Sequence, residues 1–145
     1  GLGDVYKRQG YEDAMRAGLP GEPLRTVEAL YSYEGGAAGA TRLLEQGCTA
    51  IVCGSDIMAL GAIQGVRAAG LSVPGDVSVI GYDDSPLIPM TNPPLTTVRQ
   101  PVTAIARSAV TTLLAAIAGE DVPDGEMFFS PDLIVRGSTG PAPKE

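Results

Sequence analysis

Apolar and polar positions along this chain follow two periods, one short and one helical, and they alternate in blocks. The run Ala50-Ile51-Val52-Cys53 is continuously apolar with β-branched members and predicts a short buried strand. Gly54 then allows a sharp turn, and Ser55 and Asp56 are both residue types that cap helices. An almost wholly apolar stretch over 57–69 follows and predicts a helix ending at Gly70. A strand that breaks at a polar pair and restarts as a helix leaves that pair at the carboxyl edge of its sheet. That edge is where open α/β sheets bind ligands.

The remaining blocks fall into place around this turn. Tyr11, Ala14 and Met15 predict a short helix over 10–17, stopped by Gly18, and the Pro- and Gly-rich segment 19–23 is a loop. Residues 24–30 are expected to form a strand, and a helix opening near Tyr31-Ser32-Tyr33 runs through Leu43 and Leu44 to Gly47. After a connector at 71–76, residues 77–81 predict another short buried strand. Glycines 18, 47, 70 and 119 each follow a predicted helix, the position where left-handed dihedrals are wanted. The order βαβαβ over 24–81 implies parallel strands with right-handed crossovers, so the fold class is α/β with a parallel sheet flanked by helices.

Beyond Gly81 the pattern changes. A proline-rich stretch leads to a short extended piece at 95–98. Gln100-Pro101 then opens an amphipathic helix with the stripe Val102, Ile105, Ala109, Leu113 and Ile117. Phe128-Phe129 and Leu133-Ile134-Val135 are the last strand-like pieces, and the polar tail from Gly137 is expected to fray.

Composition narrows the function. One domain with a real core fits 145 residues, 44% of them hydrophobic and 19% charged. The net charge of −7, with no basic run, argues against this chain gripping a nucleic-acid backbone by itself. With no histidine, imidazole catalysis and His-ligated metals are excluded. Cys48 and Cys53, in or beside a predicted strand, fit a reduced cytoplasmic protein and have no base to activate them. No segment is long and apolar enough to span a membrane.

Three loops follow three predicted strands, at Tyr31-Ser32, Gly54-Ser55-Asp56 and Tyr82-Asp83-Asp84, and a parallel sheet brings all three to one edge. They offer rings, hydroxyls and carboxylates, a set suited to a neutral polyhydroxyl ligand. Structural roles compete with that reading. Ser55 or Asp56 can simply cap the next helix, Asp83 and Asp84 can satisfy local amides, and Tyr31 can be core packing. The helix after Asp56 has so few polar residues that a partner surface on it is expected. Enzymatic readings fare poorly. Asp83 and Asp84 are adjacent and diverge on an extended chain, and nucleotide-binding and hydrolase motifs are missing. No cofactor and no metal is asked for.

The ordered series Gly54-Ser55-Asp56-Ile57-Met58-Ala59-Leu60-Gly61-Ala62, then Gly70 through Asp84, then Pro93-Pro94-Leu95-Thr96-Thr97-Val98-Arg99-Gln100-Pro101, strongly resembles the lactose-repressor family of bacterial transcription regulators. The resemblance runs over 10–138. It implies a type I periplasmic-binding-protein-like fold, incomplete and mainly the C-terminal lobe, at 10–94. Residues 95–125 would be the crossover and a helix of the N-terminal lobe, 126–138 a return strand, and 139–145 a tail. Residues 1–9 do not resemble the family and read as foreign sequence or a truncation scar. The helix-turn-helix head, the hinge, the first half of the core and the first strand of the C-terminal lobe fall outside the match.

Carried over by position, Tyr31, Ser55, Asp83 and Gln100 are implied effector contacts, with Ser55 standing where an Asn is usual. The family's effector-binding Arg would stand where this chain has Lys7. Ile57, Met58, Leu60, Gly61 and Met90 match the family's dimer interface. The implied partners are a small effector (sugar, related polyol or purine), a second copy of the intact protein, and operator DNA reached only through the absent head. A secreted sugar-binding protein of a transport system shares the fold and is the main rival. A Rossmann-like enzyme is a second rival. Without the lobe it would cover, the helix after Pro101 is expected to leave its apolar stripe bare and the product marginal and association-prone.

Overall fold

The computed structural model describes residues 2–122 and 124–142. Residue 1 of the expected leader and residues 143–145 of the expected tail lie outside them. The elements, in order, are α1 (Leu2–Gly18), α2 (Tyr33–Glu45), β1 (Ala50–Val52), α3 (Asp56–Ala68), β2 (Ser78–Asp83), a 3-10 turn (Ile88–Met90), β3 (Thr96–Arg99), α4 (Val102–Ile117) and β4 (Asp132–Ile134). The four strands form one sheet in the order β1-β2-β3-β4. β1 and β3 both pair parallel to β2, with Ile51 opposite Val79 and Gly81 opposite Thr97, while β4 runs antiparallel to β3. The class is the expected α/β.

The core lies on one face of the sheet. Ile51, Val77, Val79 and Leu95 meet Ala59, Ala62, Ile63 and Val66 of α3 and Ala40 of α2 in one buried cluster. Each large apolar side chain buried fully is worth about 1.5–3 kcal/mol. α2 and α3 approach backbone to backbone because glycines stand at the contact. A Cβ on Gly61 would collide with the Tyr33 carbonyl, and one on Gly36 with the Met58 carbonyl. Gly47, Gly70 and Gly119 take the expected left-handed conformation. Gly18 does not: it ends α1, and Gly21 makes the left-handed turn instead.

Four further expectations need correction. α1 begins at Leu2 rather than near Gly10, so the helix runs unbroken through the expected boundary between leader and domain. Residues 24–30 join no ladder. Their side chains do alternate, with Arg25, Val27 and Ala29 half-buried between exposed neighbours. The segment runs beside β1: Tyr31 reaches Gly54 just past one end of it, and the charge of Arg25 acts on Cys48 just before the other. Alternation is a property of extended chain, whereas a ladder also needs a neighbour about 4.8 Å away. Phe128-Phe129 is likewise outside any strand.

The fourth correction concerns the tail. Ser138 is fully buried; its hydroxyl donates to the Val79 carbonyl at 2.6 Å and accepts from the Thr96 amide at 2.8 Å. Residues 137–140 are therefore sewn to β2 and β3 rather than frayed. α4, by contrast, buries none of its residues. Its stripe is bare as expected, with Ile117 74% exposed.

Candidate functional site

The site grows from the ends of β2 and β3. β2 finishes at Asp83, and the chain turns there through two non-glycine residues with positive φ, Asp83 at 115° and Asp84 at 57°. Such conformations are costly for side-chain-bearing residues and persist where surrounding contacts over-determine them. Those contacts are present. The Gln100 side-chain amide, just past β3, donates to Asp83 Oδ1 at 2.8 Å. Arg99 Nε donates to Asp84 Oδ2 at 2.6 Å and Arg136 Nη2 to Asp84 Oδ1 at 2.7 Å. The Ser85 amide donates to Asp56 Oδ2 at 2.8 Å.

Asp56, the first residue of α3, is only 3% exposed, and its other oxygen accepts from the Thr97 hydroxyl at 2.6 Å. A buried carboxylate is tolerable only when hydrogen-bonded in this way. Among the described residues no buried side-chain nitrogen or oxygen lacks a partner. Withdrawal from water would raise the pKa of Asp84, but hydrogen bonds from Arg136 and Arg99, with their charges, outweigh it and hold the carboxyl below its usual range. Asp84 is thus ionised and engaged, while Asp83 stays exposed on the rim.

Two open hollows adjoin this rim. One, of about 610 Å³, is lined by Asp83, Asp84, Arg99, Gln100, Pro101 and Arg107, among others. The second, of about 490 Å³, is lined by Tyr6, Lys7, Gly10, Tyr82 and Gln100. Gln100 belongs to both. Lys7 Nζ donates to the Gly54 carbonyl at 3.2 Å and stands 4.1 Å from the centre of the Tyr82 ring. Exposed carboxylate, amide and ring here can accept from, donate to and stack upon a polyhydroxyl ligand. Burial pushes the Cys53 thiol up to about 12, which disfavours its thiolate.

The structure brings Asp83 and Gln100 together. Tyr31 lies further along the same edge, half-exposed, with its hydroxyl donating to the Gly54 carbonyl at 3.2 Å. Ser55 is 6% exposed, and its hydroxyl caps α3 by accepting from the Met58 amide at 3.4 Å. Asp83 and Asp84 diverge, as adjacent residues should, and they bind distant side chains rather than local amides. Of the expected interface residues, Ile57 is 47% and Met90 80% exposed, Met58 and Leu60 are partly buried, and Gly61 is buried against α2. Sequence reasoning missed Asp56 as a junction and Arg99 and Arg136 as partners of Asp84. The two arginines stand 15 and 52 positions away from it, and no one-dimensional spacing links them. Tyr82 was visible as a ring on the right loop, but its contact with Lys7 was not.

A family model described as a periplasmic binding protein-like domain matches residues 4–139. The HTH-type transcriptional regulator reg1 of Streptomyces lividans is 51% identical over 145 residues, covering 96% of this chain and 42% of that protein. The HTH-type transcriptional regulator MalR of Streptomyces coelicolor is 58% identical over 117 residues, covering 81% of this chain and 34% of that protein. Among solved structures, the dimeric Lac repressor with an 11-residue C-terminal deletion superposes with a TM-score of 0.89 at 28% identity, covering 99% of this chain and 53% of that one. The chain therefore spans about half, or less, of the length of each of these three proteins. Matched over nearly its whole length in sequence and in fold, the chain belongs to the periplasmic binding protein-like domain family, in the form carried by LacI-family transcriptional regulators.

Proposed function

We propose that this chain is the effector-binding part of a bacterial transcription regulator, acting as a repressor, and that it senses a small sugar. The observation that carries the reading is the exposed Asp83 carboxylate held by Gln100 at the carboxyl edge of the sheet, over an open hollow. A carboxylate and an amide side by side pair with the donor and acceptor of sugar hydroxyls. A related structure, 33% identical with a TM-score of 0.84, is a transcriptional regulator CelR–cellobiose complex covering 92% of this chain and 42% of that one. In this reading Tyr31 supplies a stacking face. Ser55 serves first as a helix cap, and Lys7 takes the place of the family's arginine.

The intact protein works as a dimer through Ile57, Leu60 and Met90 with Met58 behind them, while Gly61 serves the packing of α3 on α2. Residues 10–94 form most of one lobe, 95–125 cross to the other and 126–138 return. Operator DNA is contacted by a region beyond these 145 residues, consistent with the net charge of −7. Ligand closing the cleft biases the protein between DNA-competent and DNA-incompetent states, by no more than its differential affinity for them. The role is sensing, not catalysis, and its place is the cytoplasm; no helix among the described residues is long and apolar enough to cross a membrane.

Calorimetric titration of the chain with cellobiose, lactose and adenine tests this. Saturable sugar binding that Asp83→Ala weakens about tenfold or more, roughly 1.4 kcal/mol, is the expected result. Binding of adenine alone moves the effector class to purines. Sugar binding indifferent to Asp83→Ala overturns the site.

A further inference from the structure

We propose that Asp84 is a positioning residue: clamped by Arg136 and Arg99, it holds the Asp83 carboxylate in its place beside Gln100. The proposal deepens the effector reading above, because Asp83 matters as a contact only if that reading stands. Two adjacent carboxylates at a cleft invite the assumption that both bind ligand. The geometry separates them. Asp84 has a side chain only 6% exposed, and each of its oxygens accepts from a different guanidinium, at 2.6 Å from Arg99 Nε and 2.7 Å from Arg136 Nη2. Charge-assisted bonds of this length are the strong ones.

Arg136 is itself held in place, 14% exposed, with Nη1 donating to the Leu95 carbonyl at 2.8 Å. Its backbone amide also donates to the Thr96 hydroxyl at 2.9 Å. Asp84 is thereby tied to both ends of β3 and to the chain just after β4. Asp83 has no such anchorage. Its side chain faces the rim with φ at 115°, and Gln100 donates to it at 2.8 Å. A backbone this far from ordinary dihedrals relaxes unless its neighbours forbid it. Asp84 is the neighbour, one residue away and itself left-handed. Because Arg99 directly precedes Gln100, the same clamp sets both halves of the Asp83–Gln100 pair.

The test is Asp84→Asn in the full chain. Asn is nearly isosteric and tolerates left-handed dihedrals, so charge and clamp are lost while turn propensity is kept. The readout is the Gln100 side-chain amide signal in a 15N-labelled sample, assigned by its disappearance in Gln100→Ala, together with cellobiose affinity. In Asp84→Asn the Gln100 signal moves toward that of a free amide and cellobiose affinity falls about tenfold. Ile63→Val, which loosens the core far from the loop, leaves the signal in place; a merely structural role for Asp84 would leave it there too. Should Asp84→Asn fail to fold, Arg99→Gln, on a half-exposed side chain, moves the same signal in the same direction. A Gln100 signal unmoved in Asp84→Asn, or in Arg99→Gln if the first does not fold, overturns the proposal. A signal that moves while wild type binds no sugar sustains the positioning role and sinks the sugar reading instead.

Discussion

α3 and α4 are both apolar helices, of thirteen and sixteen residues, and they meet opposite fates in this molecule. α3 buries seven of its residues, including Ala59, Ala62, Ile63 and Val66. α4 buries none, although Val102, Leu113 and Ile117 are as apolar as anything in α3. The difference lies in what each helix meets. α3 carries Gly61 and Gly65 where α2 comes closest, and it lies over β2 with Ser55 as its cap. α4 follows Pro101 with no side-chain cap, and most of its stripe stays exposed among the described residues. Hydrophobicity creates a demand for burial; only a complementary surface meets it.

Substitutions should make this contrast quantitative. Leu95→Ala, in the core beneath α3, is expected to cost about 2–5 kcal/mol in urea unfolding, because a fully buried leucine leaves a cavity. Gly61→Val should lose about 1–3 kcal/mol or more in the same assay, since the Tyr33 carbonyl cannot retreat from a new side chain. Thr97→Val removes the donor to buried Asp56 and should cost about 1–3 kcal/mol, again by urea midpoint.

Acid should act through Asp84. Its folded value is depressed below the unfolded one, so its contribution is whole above the ordinary carboxylate range and fades as pH falls through the folded value. The acid branch of a pH–stability profile should therefore be shallower in Asp84→Asn than in wild type. Leu113→Ala in α4 should change stability by no more than about 0.5 kcal/mol. Sedimentation should instead detect less self-association. A cost near that of Leu95→Ala would mean that Leu113 is packed within the folded chain and would erase the contrast.

Much of this was legible in one dimension because it depends on neighbours in sequence. The strand–turn–helix at 50–69, the capping hydroxyl of Ser55, and the left-handed glycines after α2, α3 and α4 are local physics. Asp83 was legible as a rim carboxylate because a strand's end fixes where its loop emerges. Segment 24–30 shows the limit. Its alternating side chains follow from extended chain, but whether it joins a ladder depends on a neighbour it does not choose. Ser138 shows the converse: a polar residue in a tail-like segment is buried because its hydroxyl fits between Val79 and Thr96.

By itself the sequence determined the class, the parallel core, the family resemblance and the edge on which chemistry is displayed, since periodicity, capping and turn residues act within a few positions. Tertiary structure alone decided which carboxylate is exposed on the rim and which is clamped. Asp83 and Asp84 are adjacent and chemically identical; only folding brings Arg99 and Arg136 to one of them and Gln100 to the other. Charge and hydrogen-bond complementarity over such separations depends on three-dimensional proximity, which no spacing along the chain encodes.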